Sequence, residues 1–212
     1  SITLSPVVTS ISVASAASAN RNNSSANNTL QAGSYAHVQD PYSAYNLLNN
    51  NEKNLYNLMY PLISKAQPSL TVNGEPEDET IMNVLNAIRQ DHPEFVWLVF
   101  AYNGVVRIRN NIKTTEIIFK YNRLADNAMQ HQKEFENAAA SILKRARQEK
   151  SVVDMEKYVF DYLLTHVKYE SHDMDQNAYA SLVMGKSVCN GIAIAFQYLM
   201  HQLGIPVYFR TS

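Results

Sequence analysis

An α+β fold is predicted: a helix-rich N-terminal part with a small antiparallel sheet, then a final helix that begins at the chain's one cysteine. Three observations predict it. Apolar residues recur at helical spacing in several stretches. Residues 95–121 are dense in β-branched and aromatic side chains, the composition of a pleated, half-buried surface. And the loop Gly185-Lys186-Ser187-Val188-Cys189-Asn190-Gly191 runs directly into an apolar helical pattern that reaches about Leu203.

The bulk composition narrows the function classes. With 212 residues, 46% hydrophobic and 17% charged, the chain can bury a substantial core. A formal net charge of −1 gives no field that would draw in nucleic acid or an anionic membrane. No apolar run reaches the ~18 residues of a transmembrane helix. One cysteine excludes an intramolecular disulfide and any multi-cysteine metal site; neither metal nor cofactor is expected.

The organisation along the chain is uneven. Residues 1–19 carry no charge and end in Ala17-Ser18-Ala19, the small-x-small pattern of a secretory cleavage site; they read as a signal-peptide remnant or a disordered tail. Residues 20–50 read as an Asn/Ser-rich spacer, 51–149 as a helical region with a β-hairpin, and 150–212 as a core built around the cysteine. The missing initiator methionine, and an end at Val207-Tyr208-Phe209-Arg210-Thr211-Ser212 that resembles a strand just begun, suggest a fragment of a longer protein. A secreted or cell-surface bacterial location is the corresponding expectation.

Element by element, Leu55, Leu58, Met59 and Leu62 predict a first helix, with Pro61 kinking or shortening it. Thr71 to Asp78 reads as a loop. Ile81, Val84, Leu85 and Ile88 predict a second helix ending near His92, because Pro93 disfavours helical backbone before it. Phe95 to Tyr102 reads as a strand, Asn103-Gly104 as a two-residue hairpin turn, Val105 to Arg109 as its return, and Thr115 to Tyr121 as a third strand. Leu124 to Gln148 predicts a long helix with Ala128, Phe135, Ala139, Ile142 and Ala146 on one stripe. Val152 to His166 predicts another, burying Met155, Tyr158, Val159, Tyr162 and Leu163, followed by a loop to Asn177. In the last helix Ile192, Ala193, Phe196, Leu199, Met200 and Leu203 form the stripe, Gly204 is the expected C-cap, and Pro206 stops continuation.

A thiol at a helix start lies at the positive end of the helix dipole, which favours thiolate. Cys189 is therefore the candidate nucleophile, against the ordinary reading of a free cysteine as a small buried hydrophobe. Gly191, within a turn of it, would let a substrate or partner backbone approach. Asn190 and Tyr179 are the other candidate substrate-binding residues, although Tyr179 could equally pack against the helix. Lys186 would add local positive potential or simply be solvated. Trp97 reads as core.

The run Asn177-Ala178-Tyr179-Ala180-Ser181-Leu182, then Gly185 to Gly191, then Leu199 and Leu203-Gly204-Ile205-Pro206, resembles the nucleophile segment of the transglutaminase-like superfamily. His166-Val167-Lys168-Tyr169 is similar to the end of the preceding family helix. Asp91-His92-Pro93-Glu94-Phe95-Val96-Trp97 looks like a segment found upstream in secreted bacterial members. The resemblance implies the first half of a papain-like core, with Cys189 at the start of the central helix. It also implies acyl transfer or hydrolysis on protein or peptide amides, such as cell-wall-associated substrates, through a Cys189 thioester. In that family a histidine base and an aspartate follow on adjoining strands; here they are expected beyond Ser212, so the fragment itself is expected to be inactive.

The histidines present offer no substitute by spacing. His201 lies about 18 Å along the helix from Cys189. His37, His92 and His131 read as surface or capping groups, and His172-Asp173-Met174-Asp175 as solvated loop rather than metal site. Two other readings stay open: a cell-surface binding or scaffolding domain of the same fold, and an interaction protein in which residues 51–148 act and the cysteine only packs.

Overall fold

The computed structural model describes residues 43–207. The expected signal remnant, most of the spacer, His37 and the closing strand lie outside the described residues. The described chain orders as α1 (Asn50–Ile63), β1 (Ser69–Asn73), α2 (Asp78–Asp91), β2 (Leu98–Arg109), β3 (Ile112–Tyr121), α3 (Ala128–Ala146), α4 (Val152–His166), β4 (Lys168–Tyr169), α5 (Ala178–Leu182), β5 (Lys186–Ser187) and α6 (Cys189–Gln202). A 3-10 turn, Ala44–Leu47, precedes α1, and another, Arg123–Asn127, leads into α3.

The helices start where their caps say. Asn49 and Glu52 form a reciprocal capping box at α1, which satisfies the first free amides at both positions. Pro61 sits two residues before the end of α1, so it shortens the helix rather than breaking it. Ile81, Val84, Leu85 and Ile88 are all buried, as their spacing predicts. The predicted stripe of α3 is buried in full, although its expected first turn is 3-10. The spacer was expected to reach residue 50, but its last residues are tied down: Asp91 accepts hydrogen bonds from Ser43 Oγ (2.7 Å), Ala44 N (2.7 Å) and Tyr45 N (3.0 Å).

The sheet differs from expectation in three respects. Residues 69–73 are a strand, not the start of a loop, because Leu70 and Val72 pair with Ile117 and Thr115 of β3. The strand that follows α2 begins at Leu98, not at Phe95, since Phe95, Val96 and Trp97 are turn residues buried in the core. The hairpin turn lies at Asn110-Asn111, with φ of 49° and 62°, and not at Asn103-Gly104. β2 runs through Gly104, which pairs with Ile117, and the Tyr102 ring covers the glycine. Two successive left-handed residues suit the twist of a two-residue hairpin, and asparagine tolerates them. The sheet order is β1-β3-β2, all antiparallel.

Behind α4 the expected loop contains more structure than its composition suggests. Lys168–Tyr169 pairs in parallel with Lys186–Ser187, and the short α5 lies between them. Only Val159 and Leu163 of the five residues expected to be buried on α4 are fully so; Phe160 and Leu164 remain exposed. α6 packs against α3, α4 and α5. Its fully buried residues include Ala195, Tyr198, Leu199 and Met200, which turn toward more than one neighbour, so the single predicted stripe is too narrow a description. α6 ends as predicted: Gly204, at φ +75°, donates to His201 O and Ile205 N donates to Met200 O, both at 2.9 Å. These are the paired bonds of a Schellman stop. One contiguous core links Trp97, Phe135, Leu163 and Leu199, so the helical region and the cysteine helix share an interior.

Candidate active site

Cys189 is the first residue of α6 and is exposed. The residue before it, Val188, has extended backbone and supplies no side-chain cap. The amide groups of the first turn therefore point out of the helix beside the thiol, where they favour negative charge. The loop that delivers Cys189 is fixed by a small set of bonds. Ser187 Oγ, fully buried, donates to Asp175 O (2.6 Å), and Val188 N donates to the same carbonyl (3.4 Å). Asn190 Nδ2 donates to Gln176 O (3.4 Å).

Gly191 is buried directly under this loop. A Cβ there would overlap Ser187 Oγ and the Asp175 carbonyl oxygen and would lie 2.9 Å from Asn177 O. The close backbone approach expected at this glycine is thus made by the chain's own loop. The stretch His172-Asp173-Met174-Asp175, read as solvated loop, is so only in part: Asp173 is exposed, but Met174 and Asp175 are buried. The Asp175 carboxylate accepts from Ser171 Oγ (2.7 Å), His172 N (3.0 Å) and Gln176 Nε2 (2.8 Å). Burial works to raise its pKa, but these hydrogen bonds outweigh it and hold the carboxyl below its ordinary value. His172 Nε2 meets Lys186 O at 3.0 Å and its Nδ1 accepts from Met174 N at 3.2 Å. Among the described residues no group of three or more His, Cys, Asp or Glu is arranged to hold a metal ion.

Tyr179 ties the cysteine helix to α3 through α5. Its hydroxyl donates to Glu134 Oε2 (2.7 Å), and His131 Nδ1 lies 3.0 Å from the same oxygen and 3.3 Å from the hydroxyl. Burial, then the Glu134 partner, pushes the Tyr179 phenol up to about 12. Donation from Tyr179, with help from Gln130 and His131, holds Glu134 down to about 2. His131 was expected to be a surface group and is instead half-buried in this cluster. Sequence shows only its local half, since Glu134 is one helical turn from His131 while Tyr179 is far along the chain. Lys186 is ion-paired with Glu170 (3.1 Å), which also binds Lys168 (2.7 Å), so its charge is largely answered within the β4–β5 pair.

The remaining histidines are engaged elsewhere. His92, read as a surface or capping group, is the C-cap of α2, its N–H donating to Ile88 O; its ring is buried, stacked on Phe95 and 2.8 Å from Glu94. His166 Nδ1 meets Tyr162 O at 2.9 Å, and His201 Nε2 meets Val207 O at 3.0 Å.

An exposed thiol heads a buried helix, and the turn before it is locked from below. That geometry sits on a papain-like α+β core. The profile of the transglutaminase-like superfamily matches residues 136–211. The match opens inside α3, upstream of the boundary expected at residue 150. A search of curated proteins finds no match to the chain.

Proposed function

We propose that Cys189 is the nucleophile of a transglutaminase-like cysteine enzyme that acts on protein or peptide amides. The observation that carries the reading is the placement of an exposed thiol as the first residue of α6, over a turn fixed by Ser187, Asp175 and Gly191. The thiolate attacks the amide carbonyl, and first-turn amides of α6 stabilise the oxyanion. The C–N bond breaks, the amine leaves with a proton, and the acyl group stays on Sγ as a thioester. A second amine or a water then attacks the thioester and releases the thiol. Asn190 and the Gly191 backbone border the acyl group, and Tyr179 positions the α5 wall of the cleft. Each described histidine has another partner, so the base and its orienting acid are assigned outside residues 43–207. A secreted or cell-surface bacterial setting with a protein substrate fits the uncharged N-terminal stretch.

The test is alkylation followed by mass spectrometry, combined with ammonia release from a glutamine peptide by the intact gene product. Cys189 is expected to react with iodoacetamide at pH 6–7 faster than a free model thiol, and Cys189→Ala to abolish ammonia release. Slow labelling, together with no ammonia release from the intact product, would instead favour the binding or scaffolding domain, and release retained in Cys189→Ala would remove Cys189 from the reaction.

A further inference from the structure

The imidazole of His172 stands between the two segments that set the Cys189 turn. On one side its Nε2 meets the carbonyl oxygen of Lys186, on β5, at 3.0 Å. On the other its Nδ1 meets Met174 N at 3.2 Å. The residue after Met174 is Asp175, whose carbonyl accepts from Ser187 Oγ (2.6 Å) and Val188 N (3.4 Å). The ring therefore ties the 174–175 backbone to the strand that delivers Cys189 a second time.

These two contacts determine where the ring carries its proton. A carbonyl oxygen only accepts, so Nε2 bears hydrogen; a backbone N–H only donates, so Nδ1 is bare. Both bonds exist together only in the neutral imidazole. A proton on Nδ1 sets two N–H groups against each other and breaks the Met174 bond. That proton has another acceptor close by, because Asp173 Oδ1 stands 3.7 Å from Nδ1. We propose that His172 is a positioning residue for Cys189, holding its turn as the neutral ring and releasing it when Nδ1 is protonated and donates to Asp173. The catalytic side of this role rests on Cys189 being the nucleophile; the conformational step does not.

The surrounding charges leave both states within reach. Asp173 and Asp175 lie on the ring's own turn and favour the imidazolium, Asp175 also accepting from His172 N at 3.0 Å. Asp173 is shared with Arg123, ahead of α3, at 3.3 Å. On β5, Lys186 opposes the proton, but Glu170 at the end of β4 pairs with it at 3.1 Å. From α5 the Tyr179 hydroxyl turns to Glu134 instead, and α6 brings the Cys189 thiol itself. Against the carboxylates stand the Met174 bond and a side chain only 12% exposed, which favour the neutral ring. The pH decides between them over the range where imidazole titrates.

The experiment is amide hydrogen exchange, read by NMR between pH 8 and 5 and corrected for the intrinsic pH dependence of exchange. The Cys189→Ala chain is used first, since it lacks the thiol's own titration. Protection of the Met174 amide is expected to fall about five- to tenfold toward pH 5, and that of Val188 to fall with it. His172→Asn sets an amide oxygen near the Nδ1 position and cannot titrate, so its protection should stay level. Asp173→Asn, at an exposed side chain, removes the second acceptor and should move the step to lower pH. With the thiol restored, the rate of Cys189 alkylation by iodoacetamide should carry the same step, and His172→Asn should lose it. Level protection with histidine in place, an unchanged step in His172→Asn, or a step in exchange without one in alkylation overturns the proposal. Ammonia release is not read here, so a chain that fails as an enzyme still tests His172.

Discussion

Ser187 Oγ donates a 2.6 Å hydrogen bond to the carbonyl of Asp175, and both atoms lie where a Cβ of residue 191 would be. The turn that presents Cys189 is therefore set by the absence of one methyl group. Gly191→Ala forces the α6 start away from residues 175–177, against backbone atoms that cannot rotate aside. Overpacking of this kind costs about 1–3 kcal/mol. Urea denaturation is expected to show that loss, and iodoacetamide labelling of Cys189 to change with it. Ser187→Ala in the same chain removes one of the overlapping atoms but leaves the Asp175 carbonyl in place, so it should restore the fold only in part. Full recovery in the double variant would place the constraint on Ser187 alone.

The Tyr179–Glu134 bond makes a pH prediction. Glu134 is held near 2 against an ordinary 4.5, so its folded pKa is depressed. A depressed carboxylate contributes stability that is fully present above 4.5 and is lost as pH falls toward 2. Tyr179→Phe removes the largest of the three hydrogen bonds on Glu134. Carbon-detected NMR titration is expected to find the Glu134 pKa raised, with Gln130 and His131 still keeping it below 4.5. The slope of melting temperature between pH 4.5 and 2 should flatten. Because Glu134 is open to solvent, salt should reduce the effect. An unmoved Glu134 titration would mean that His131 and Gln130 hold the carboxylate without the tyrosine.

The hairpin supplies a test of backbone rather than side chain. Asn110 and Asn111 both adopt left-handed backbone, where glycine is the less strained residue at the second position. Asn111→Gly is expected to stabilise by about 0.5 kcal/mol. Gly104→Ala, in contrast, should be nearly neutral. Gly104 has no positive φ, and its added Cβ would meet only the Tyr102 ring, at an ordinary 3.6 Å. Thermal unfolding of the two variants distinguishes the turns: a large loss at Gly104→Ala would move the hairpin back to residues 103–104.

These sites also show where sequence reading succeeds and where it stops. Helical periodicity is a local property, so α2, α3, α4 and the Gly204 stop were legible to within a turn. The placement of Cys189 at the head of α6 was legible for the same reason, because a loop of small residues abuts a long apolar pattern. The Asn103-Gly104 pair misled because turn propensity is short-range. The actual register is decided by Thr115, Ile117 and Phe119, whose inward faces require β2 to continue to Arg109. β1 was missed because five residues beside an Asn-Gly look like a loop until β3 supplies their partner. The Asp175–Ser187–Gly191 lock and the Tyr179–Glu134 bond join segments far apart in sequence, and no spacing rule carries such pairs. The capping role of His92 at the end of α2 was legible from Pro93, but what packs over the rings of His92 and His131 was not, because histidine composition says nothing about it.

Trp97 is the last and most severe case. It is completely buried and its Nε1 donates to Ile63 O at 3.0 Å, a carbonyl at the end of α1 that also accepts from Ala66 N at 2.9 Å. Its ring stacks on Phe95 with centroids 5.5 Å apart. The residue thus joins the end of α1 to the turn that enters β2 and fills the space between them. Trp97→Phe removes the donor and part of the ring together. The lost hydrogen bond contributes about 1 kcal/mol and the cavity a comparable amount, so a loss of about 2–3 kcal/mol is expected. It should appear as a lower urea midpoint at unchanged slope, since the surface exposed on unfolding stays the same. A loss under 0.5 kcal/mol would mean that the surrounding core closes over the gap and that the Ala66 amide alone satisfies Ile63 O.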